Sequence, residues 1–309
     1  MVFIRVLTFI GFTVLMPLFL VGQLFAQVGV GPSLDLTAPT NKTTPSRVYV
    51  GYGHQFKTDI DGGGNVSRDG FRLLFKPHVD FTSTLSFDQF ISYDFNNYNF
   101  SSGADYQWDD IHFLQYVPVL NWKVDPQWIV HASAYGRINA EGNAKWSDGV
   151  AGGGVLGFTY ISSPTLQIGL LAAVLTQIED DTLFVPLPYL NWQFADAWKW
   201  NLGIIQLGSY PGFGTEVAWQ WTKQVKLIGG FQYQNRRFRL DTQNQVAEET
   251  VLPLYGKVSA EIFPKGKLEI FAGVALGGEL RLENKNGNKI RDDDYDATPM
   301  LGAQFDFVF

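Results

Sequence analysis

The chain has 309 residues, of which 17% are charged, 15% aromatic and 46% hydrophobic, with 32 glycines and a formal net charge of −7. A soluble domain carries about 25% charged residues, and a mean hydropathy of −0.03 excludes a bundle of transmembrane helices; strands with one lipid-facing and one water-facing side give such a mixture. The acidic balance excludes a basic nucleic-acid-binding face, and the absence of cysteine excludes a disulfide framework, a cysteine zinc site, a thiol nucleophile and a lipid-anchored N-terminal cysteine.

Arg5 is the one charge in the first 26 residues and precedes an apolar run from Val6 to about Phe25, with Ala26 as a small residue for cleavage. This predicts a signal peptide over 1–26. The alternative is a retained anchor helix, because the run approaches the ~20 residues that span a bilayer. Residues 27–46 are polar and proline-bearing (Ala38-Pro39 through Pro45) and read as a periplasmic lead-in, leaving 47–309 for the main domain.

Beyond residue 46 the pattern has period two. Leu85, Phe87, Ile91, Tyr93 and Phe95 share one face, with Ser86, Asp88, Ser92 and Asp94 on the other. Val225, Leu227, Gly229, Phe231 and Tyr233 oppose Lys226, Gln232 and Gln234, and Leu268, Ile270, Ala272, Val274 and Leu276 oppose Glu269, Gly273 and Glu279. Successive strand side chains point to opposite faces, so each run is apolar on one side only.

Short turns are predicted near 81–84, 125–127, 162–165, 195–197, 222–224 and 264–266. They alternate with longer polar loops near 58–68, 96–110, 139–148, 177–181, 208–213, 235–248 and 283–296. The result is an all-β, antiparallel up-and-down transmembrane β-barrel of about fourteen strands. An even strand number with both ends on the short-turn side is the layout of bacterial outer-membrane barrels, and closure satisfies every backbone polar group in lipid.

Two hairpins nearly repeat: Leu120-Asn121-Trp122 through Trp128 and Leu190-Asn191-Trp192 through Trp198, with Trp219 and Trp221 beside a related turn. Trp122, Trp128, Trp192, Trp198, Trp219 and Trp221 are therefore expected at the membrane interface, where amphipathic rings sit at headgroup level. At the C-terminus Leu301, Ala303, Phe305, Phe307 and Phe309 alternate with Gly302, Gln304, Asp306 and Val308. This ending resembles the terminal strand by which Gram-negative outer-membrane barrels are recognised by the barrel-assembly machinery. Gly302, Phe305, Phe307 and Phe309 carry that likeness. The Leu-Asn-Trp hairpins also resemble barrel families of unknown function, and more loosely porin-like barrels of aromatic-degradation pathways. The resemblance implies an outer-membrane location, with lipid, lipopolysaccharide and the assembly machinery as partners; it supplies no catalytic residues.

Gly152-Gly153-Gly154-Val155-Leu156-Gly157 satisfies a dinucleotide fingerprint in form, but that site needs a helix starting at its glycines, and alternation continues instead. His54, His78, His112 and His131 fall on separate predicted strands, and none has helical zinc spacing. His131 shares a face with Ser133, which admits an outer-membrane lipid hydrolase; no third group is visible to orient the ring. The aspartates following Asn284–Asn288 read as a solvated loop rather than a calcium site. Neither cofactor, metal nor enzymatic activity is expected.

The polar strand faces carry Arg72, Lys76, Lys123, Arg137, Lys226, Arg236, Lys257 and Arg281 against Asp80, Asp88, Asp94, Glu216, Glu261, Glu269, Glu279 and Asp306. This balance predicts a wet or salt-bridged lumen, because unpaired charges in an apolar interior are prohibitive. A porin-like channel for passive passage of small solutes follows, with loops 96–110 and 235–248 as candidate constrictions. A structural or surface-binding barrel with a plugged lumen fits the same sequence.

Overall fold

The computed structural model describes residues 45–242 and 245–309. The predicted signal peptide and residues 27–44 of the lead-in lie outside the described residues. The strands are β1 (Arg47–Asp59), β2 (Asn65–Lys76), β3 (His78–Asp80), β4 (Leu85–Phe100), β5 (Asp110–Lys123), β6 (Trp128–Glu141), β7 (Val150–Ser163) and β8 (Leu166–Gln177). They continue with β9 (Asp180–Ala195), β10 (Trp198–Leu207), β11 (Tyr210–Gln220), β12 (Val225–Arg239), β13 (Val246–Phe263), β14 (Gly266–Glu283), β15 (Lys289–Tyr295) and β16 (Thr298–Val308). Pro77 separates β2 from β3, and β15 and β16 pair with successive parts of β14, so the wall has fourteen strands, as the alternation predicts.

Each strand pairs antiparallel with the next, and β1 closes on β16 from Arg47↔Val308 to Gln55↔Met300. The Phe309 amide donates to the Ser46 carbonyl at 3.0 Å, so both ends meet on the short-turn side. At this seam, closure removes the open edges that lipid cannot solvate. The outer face is apolar: Phe71, Leu114, Leu156 (65% exposed), Phe184, Leu254 and Ile270 (57%) all project from the wall. A continuous apolar belt of this kind marks a membrane contact. The predicted long loops are shorter than expected, because β1, β2, β4, β12 and β13 run on into them; only two residues separate β8 from β9.

The wall is not uniform. β9 pairs with β8 along its length but with β10 only where Leu190–Ala195 meet Trp198–Leu202. Pro186 and Pro188 explain this. They sit in the ladder with β8, opposite Ala172 and Leu170, and proline is tolerated in a ladder only when its missing N–H faces the free edge. β10 would find no donors there. It turns away at Gly203 (φ 145°), a conformation that favours glycine.

From that point the β10–β11 hairpin bends into the barrel, and β11 rejoins β12 only at Phe213↔Tyr233. The segment 208–213, expected as an external loop, is therefore an internal one. On the long-loop side β12 instead meets β6, with Arg239 beside Ala140 and Asn139 Nδ2 donating to the Arg237 carbonyl at 3.0 Å. Arg237 is locked between Glu248 (2.9 Å), Glu283 (2.6 Å) and the Ile178 carbonyl (2.8 Å). Arg239 reaches Glu179 and the Asp148 carbonyl, so the β8–β9 turn packs outside this junction.

Candidate functional site: the lumen and its internal hairpin

On the short-turn side the lumen holds a cavity of about 450 Å³ beneath the hairpin. Its walls mix polar groups, among them Asn201, Glu216, Lys257 and Glu269, with apolar ones such as Leu202 and Ile205. Lys257 Nζ lies 2.7 Å from Glu216 and 3.5 Å from Glu269, which in turn accepts from Gln304. Both carboxylates thus compensate one buried ammonium, as burial of charge requires.

The hairpin rests on a floor of small residues. A Cβ on Gly53 would lie 2.5 Å from the Tyr210 ring, one on Gly70 2.3 Å from Ser209 Oγ, and one on Gly51 2.3 Å from the Gly208 carbonyl oxygen. Strand glycines of this kind mark the close approach of another backbone. Polar contacts complete the seat. Tyr210 donates to the Gly53 carbonyl (2.8 Å), Tyr49 to the Gly208 carbonyl (2.5 Å), and the Gly208 amide to Gln304 Oε1 (2.7 Å).

Two guanidiniums pack on the Tyr210 ring, Arg68 at 4.4 Å and Arg236 at 4.7 Å from its centroid. Both also bind Glu249, which accepts from Tyr98 (2.6 Å) and Tyr295 (3.0 Å) as well. One buried carboxylate therefore holds five elements together: β2, β4, β12, β13 and β15. Above this cluster, the β4–β5 loop crosses the mouth. Tyr106 donates to the Leu280 carbonyl (3.1 Å) and Asp293 (2.7 Å), and Trp108 packs edge-on against Phe238 at 5.8 Å. Of the two predicted constrictions, 96–110 folds inward as a loop, whereas 235–248 is mostly β-strand.

Arg72 meets Asp94 at 2.8 Å, Lys76 meets Asp88 at 3.3 Å, and Arg137 is buried against the Tyr135 ring. Glu216, Lys226 and Lys257 line the cavity, Arg236 packs on Tyr210, and Glu261 is exposed at the end of β13. Glu279 and Arg281 depart from the simple alternation. Gly277 (φ 55°) inserts a bulge, as the register moves from Thr250↔Glu279 to Leu252↔Leu276. Beyond it Gly278 and Leu280 turn inward and buried, so Glu279 and Arg281 lie on the opposite face, not in the lumen. Trp122, Trp128, Trp192, Trp198, Trp219 and Trp221 are all exposed beside the short turns, with Trp198 stacked on Trp219 at 5.9 Å.

Arg68, Tyr98, Tyr210 and Glu249 carry the central cluster without having been singled out by sequence. Arg68 shares the β2 face with Arg72 and Lys76, spaced by four; following that face two alternations further back finds it. His131 meets Asn121 Oδ1 (2.8 Å) and Thr159 Oγ1 (2.9 Å), while Ser133 donates to the Pro118 carbonyl (2.7 Å). The serine–histidine pair is thus not assembled, and the Thr159 hydroxyl is fully buried. Gly152–Gly157 lies within β7 and starts no helix.

No protein-family model matches the chain, and no curated protein matches it. Solved structures do. An outer-membrane channel from Pseudomonas putida F1, described as a COG4313 channel, aligns over 91% of this chain and 100% of its own, at TM-score 0.50 and 11% identity. A FadL homologue of Pseudomonas aeruginosa (86% and 90% coverage, 9% identity) and the P. putida toluene transporter TodX (87% and 91%, 8%) align at TM-score 0.48. The likeness to the first of these shows a shared fold, a β-barrel of the outer-membrane type.

Proposed function

We propose that this barrel is an outer-membrane channel for the passive passage of small solutes, and that the conformation described is its closed state. The observation that supports it is the hairpin: the lumen is divided by a tight turn of the wall, seated on glycines, above a cavity that faces the short-turn side. Fourteen strands lie between the eight whose side chains fill a barrel and the sixteen that leave a channel, so the internal element decides whether solutes pass. Purified protein in planar bilayers is expected to show discrete, infrequent conductance steps. A folded barrel that never conducts, under any applied voltage, overturns the proposal.

A second reading, a barrel with a permanently plugged lumen whose outer surface binds partners, is favoured by one observation, the sealing of the mouth by Tyr106 and Trp108. Removing residues 102–107 separates the two: a gated channel gains conductance, a plug supported by Glu249 does not.

Export under the 1–26 leader, and insertion by the assembly machinery through the β16 end, belong to the same proposal. Phe309 is half-exposed and stacks near Phe307 and Phe75. Deleting it is expected to lower the amount assembled in outer-membrane fractions several-fold while leaving the refolded barrel stable in detergent. Equal loss in both measurements would assign Phe309 to stability instead.

A further inference from the structure

The outer face of the wall is not evenly convex. Across β4 to β9 it carries a hollow of about 690 Å³, floored by Ala132, Ala134, Gly154 and Ala172 and rimmed by Leu156 (65% exposed) and Phe184 (60%). The one side-chain hydroxyl in its lining, that of Ser133, is committed to the Pro118 carbonyl at 2.7 Å. The hollow therefore offers its occupant an apolar surface and no free polar side chain.

Cross-strand pairs give the hollow a direction. It starts at Phe87 on β4, beside Leu120, passes over Ala134↔Gly154 and ends at Val174↔Phe184 on β9. Five steps between neighbouring strands, at about 4.8 Å each, make a groove about 24 Å long. Phe87 stands two residues above Leu85, the partner of Trp122, and Phe184 eight above Trp192. At about 3.3 Å per residue and a strand tilt of about 40°, that difference of six residues lifts the groove by about 15 Å along the membrane normal. A hydrocarbon core is about 30 Å thick, so the groove starts near the headgroups of the short-turn-side leaflet and climbs to about the midplane.

A hollow left unfilled forfeits the dispersion contacts of its lining atoms. A second copy of the barrel fills it poorly. Its wall is convex too, so it would rest on Leu156 and Phe184 and leave the floor bare. A single methylene chain is thin enough to lie on Ala134 and Gly154 between those side chains. The groove is also continuous with the apolar belt, where such chains already surround the wall.

We propose that this groove is a binding site for one acyl chain of a glycerophospholipid from the short-turn-side leaflet, held in preference to the chains that touch the rest of the belt. The inference rests on the barrel spanning a membrane and not on conduction.

Wild-type protein in vesicles of phosphatidylethanolamine and phosphatidylglycerol, doped with a phospholipid carrying a diazirine midway along one acyl chain, tests it. After irradiation the label is mapped by digestion and mass spectrometry. It is expected to be several-fold denser on β6 and β7 than around Leu254 and Ile270, which face lipid elsewhere. Gly154→Leu and Ala134→Leu each fill the floor and should remove the excess; a Cβ on Gly154 meets only the Ser133 carbonyl oxygen at 3.7 Å, so there is room for it. Gly256→Leu, where a Cβ meets nothing within 4 Å, should keep the excess. Circular dichroism and heat-modified gel mobility report the folding of each variant. Even labelling around the belt overturns the proposal, as does an excess that persists in a folded floor variant. So does a second copy seated on this face: the chain has no cysteine, and Leu156→Cys would then form disulfide-linked dimers well above the level of Leu254→Cys. Conductance, measured separately, reports on the channel and not on this groove.

Discussion

Replacement of Glu249 by alanine is expected to destabilise the folded barrel by about 3–5 kcal/mol, the cost of stranding a buried charge after removing its partner. Two guanidiniums, Arg68 and Arg236, and two phenols, Tyr98 and Tyr295, converge on this carboxylate. Arg68 is fully buried and, among the described residues, has Gln55 at 3.1 Å as its further side-chain hydrogen-bond partner. Alanine removes four accepted hydrogen bonds at once and leaves two positive charges facing one tyrosine ring. Glu249→Gln keeps an acceptor and should lose less, and a compensating Arg68→Met in the Glu249→Ala background should recover part of the loss. Urea unfolding in detergent, followed by tryptophan emission and gel mobility, measures this. Unchanged unfolding in Glu249→Ala would mean that water already solvates the cluster and that the mouth is not closed as described.

The second large effect concerns the seat of the hairpin. Gly53→Ala and Gly70→Ala together are expected to raise single-channel open probability by roughly tenfold to a hundredfold, the equivalent of the 1–3 kcal/mol that overpacking costs. A Cβ on Gly53 meets the Tyr210 ring at 2.5 Å, and that ring is already packed against the guanidiniums of Arg68 and Arg236. Alanine costs the wall strands nothing, since neither glycine has a positive φ. The docked state is therefore the one that loses. Gly256→Ala, whose Cβ would meet nothing within 4 Å, is the silent control. A double variant that folds and conducts no more than wild type would show that the hairpin is not the gate.

Barrel closure was legible because it depends on a local property. Alternation at Leu85–Phe95 or Val225–Tyr233 reports two solvents on two sides of one strand, and this survives without knowledge of neighbours. The β14 assignment failed past Gly277 for the same reason: a one-residue bulge inverts every later side chain, and glycine alone does not announce where it is used as a bulge. The candidate site was only half visible. Arg72, Asp94 and Arg236 stood out as polar residues on strand faces, whereas Tyr210 and Glu249 owe part of their roles to Gly53 and Tyr98, more than a hundred residues away.

What the sequence determined by itself is the transmembrane wall: fourteen strands, their lipid-facing belt, the tryptophans beside the short turns and the terminal phenylalanine strand. These follow from the period of hydrophobicity, which the chain carries residue by residue. Tertiary structure alone decided that the far ends of β10 and β11 leave the wall, that β12 meets β6, and that a hairpin expected as an outer loop lies inside. Pro186, Pro188 and the glycines of β1 and β2 encode that outcome jointly. The prolines act by withholding hydrogen bonds from β10, and the glycines by leaving room for Gly208, Ser209 and Tyr210, which are distant in the chain, so their meaning exists only once the barrel has closed.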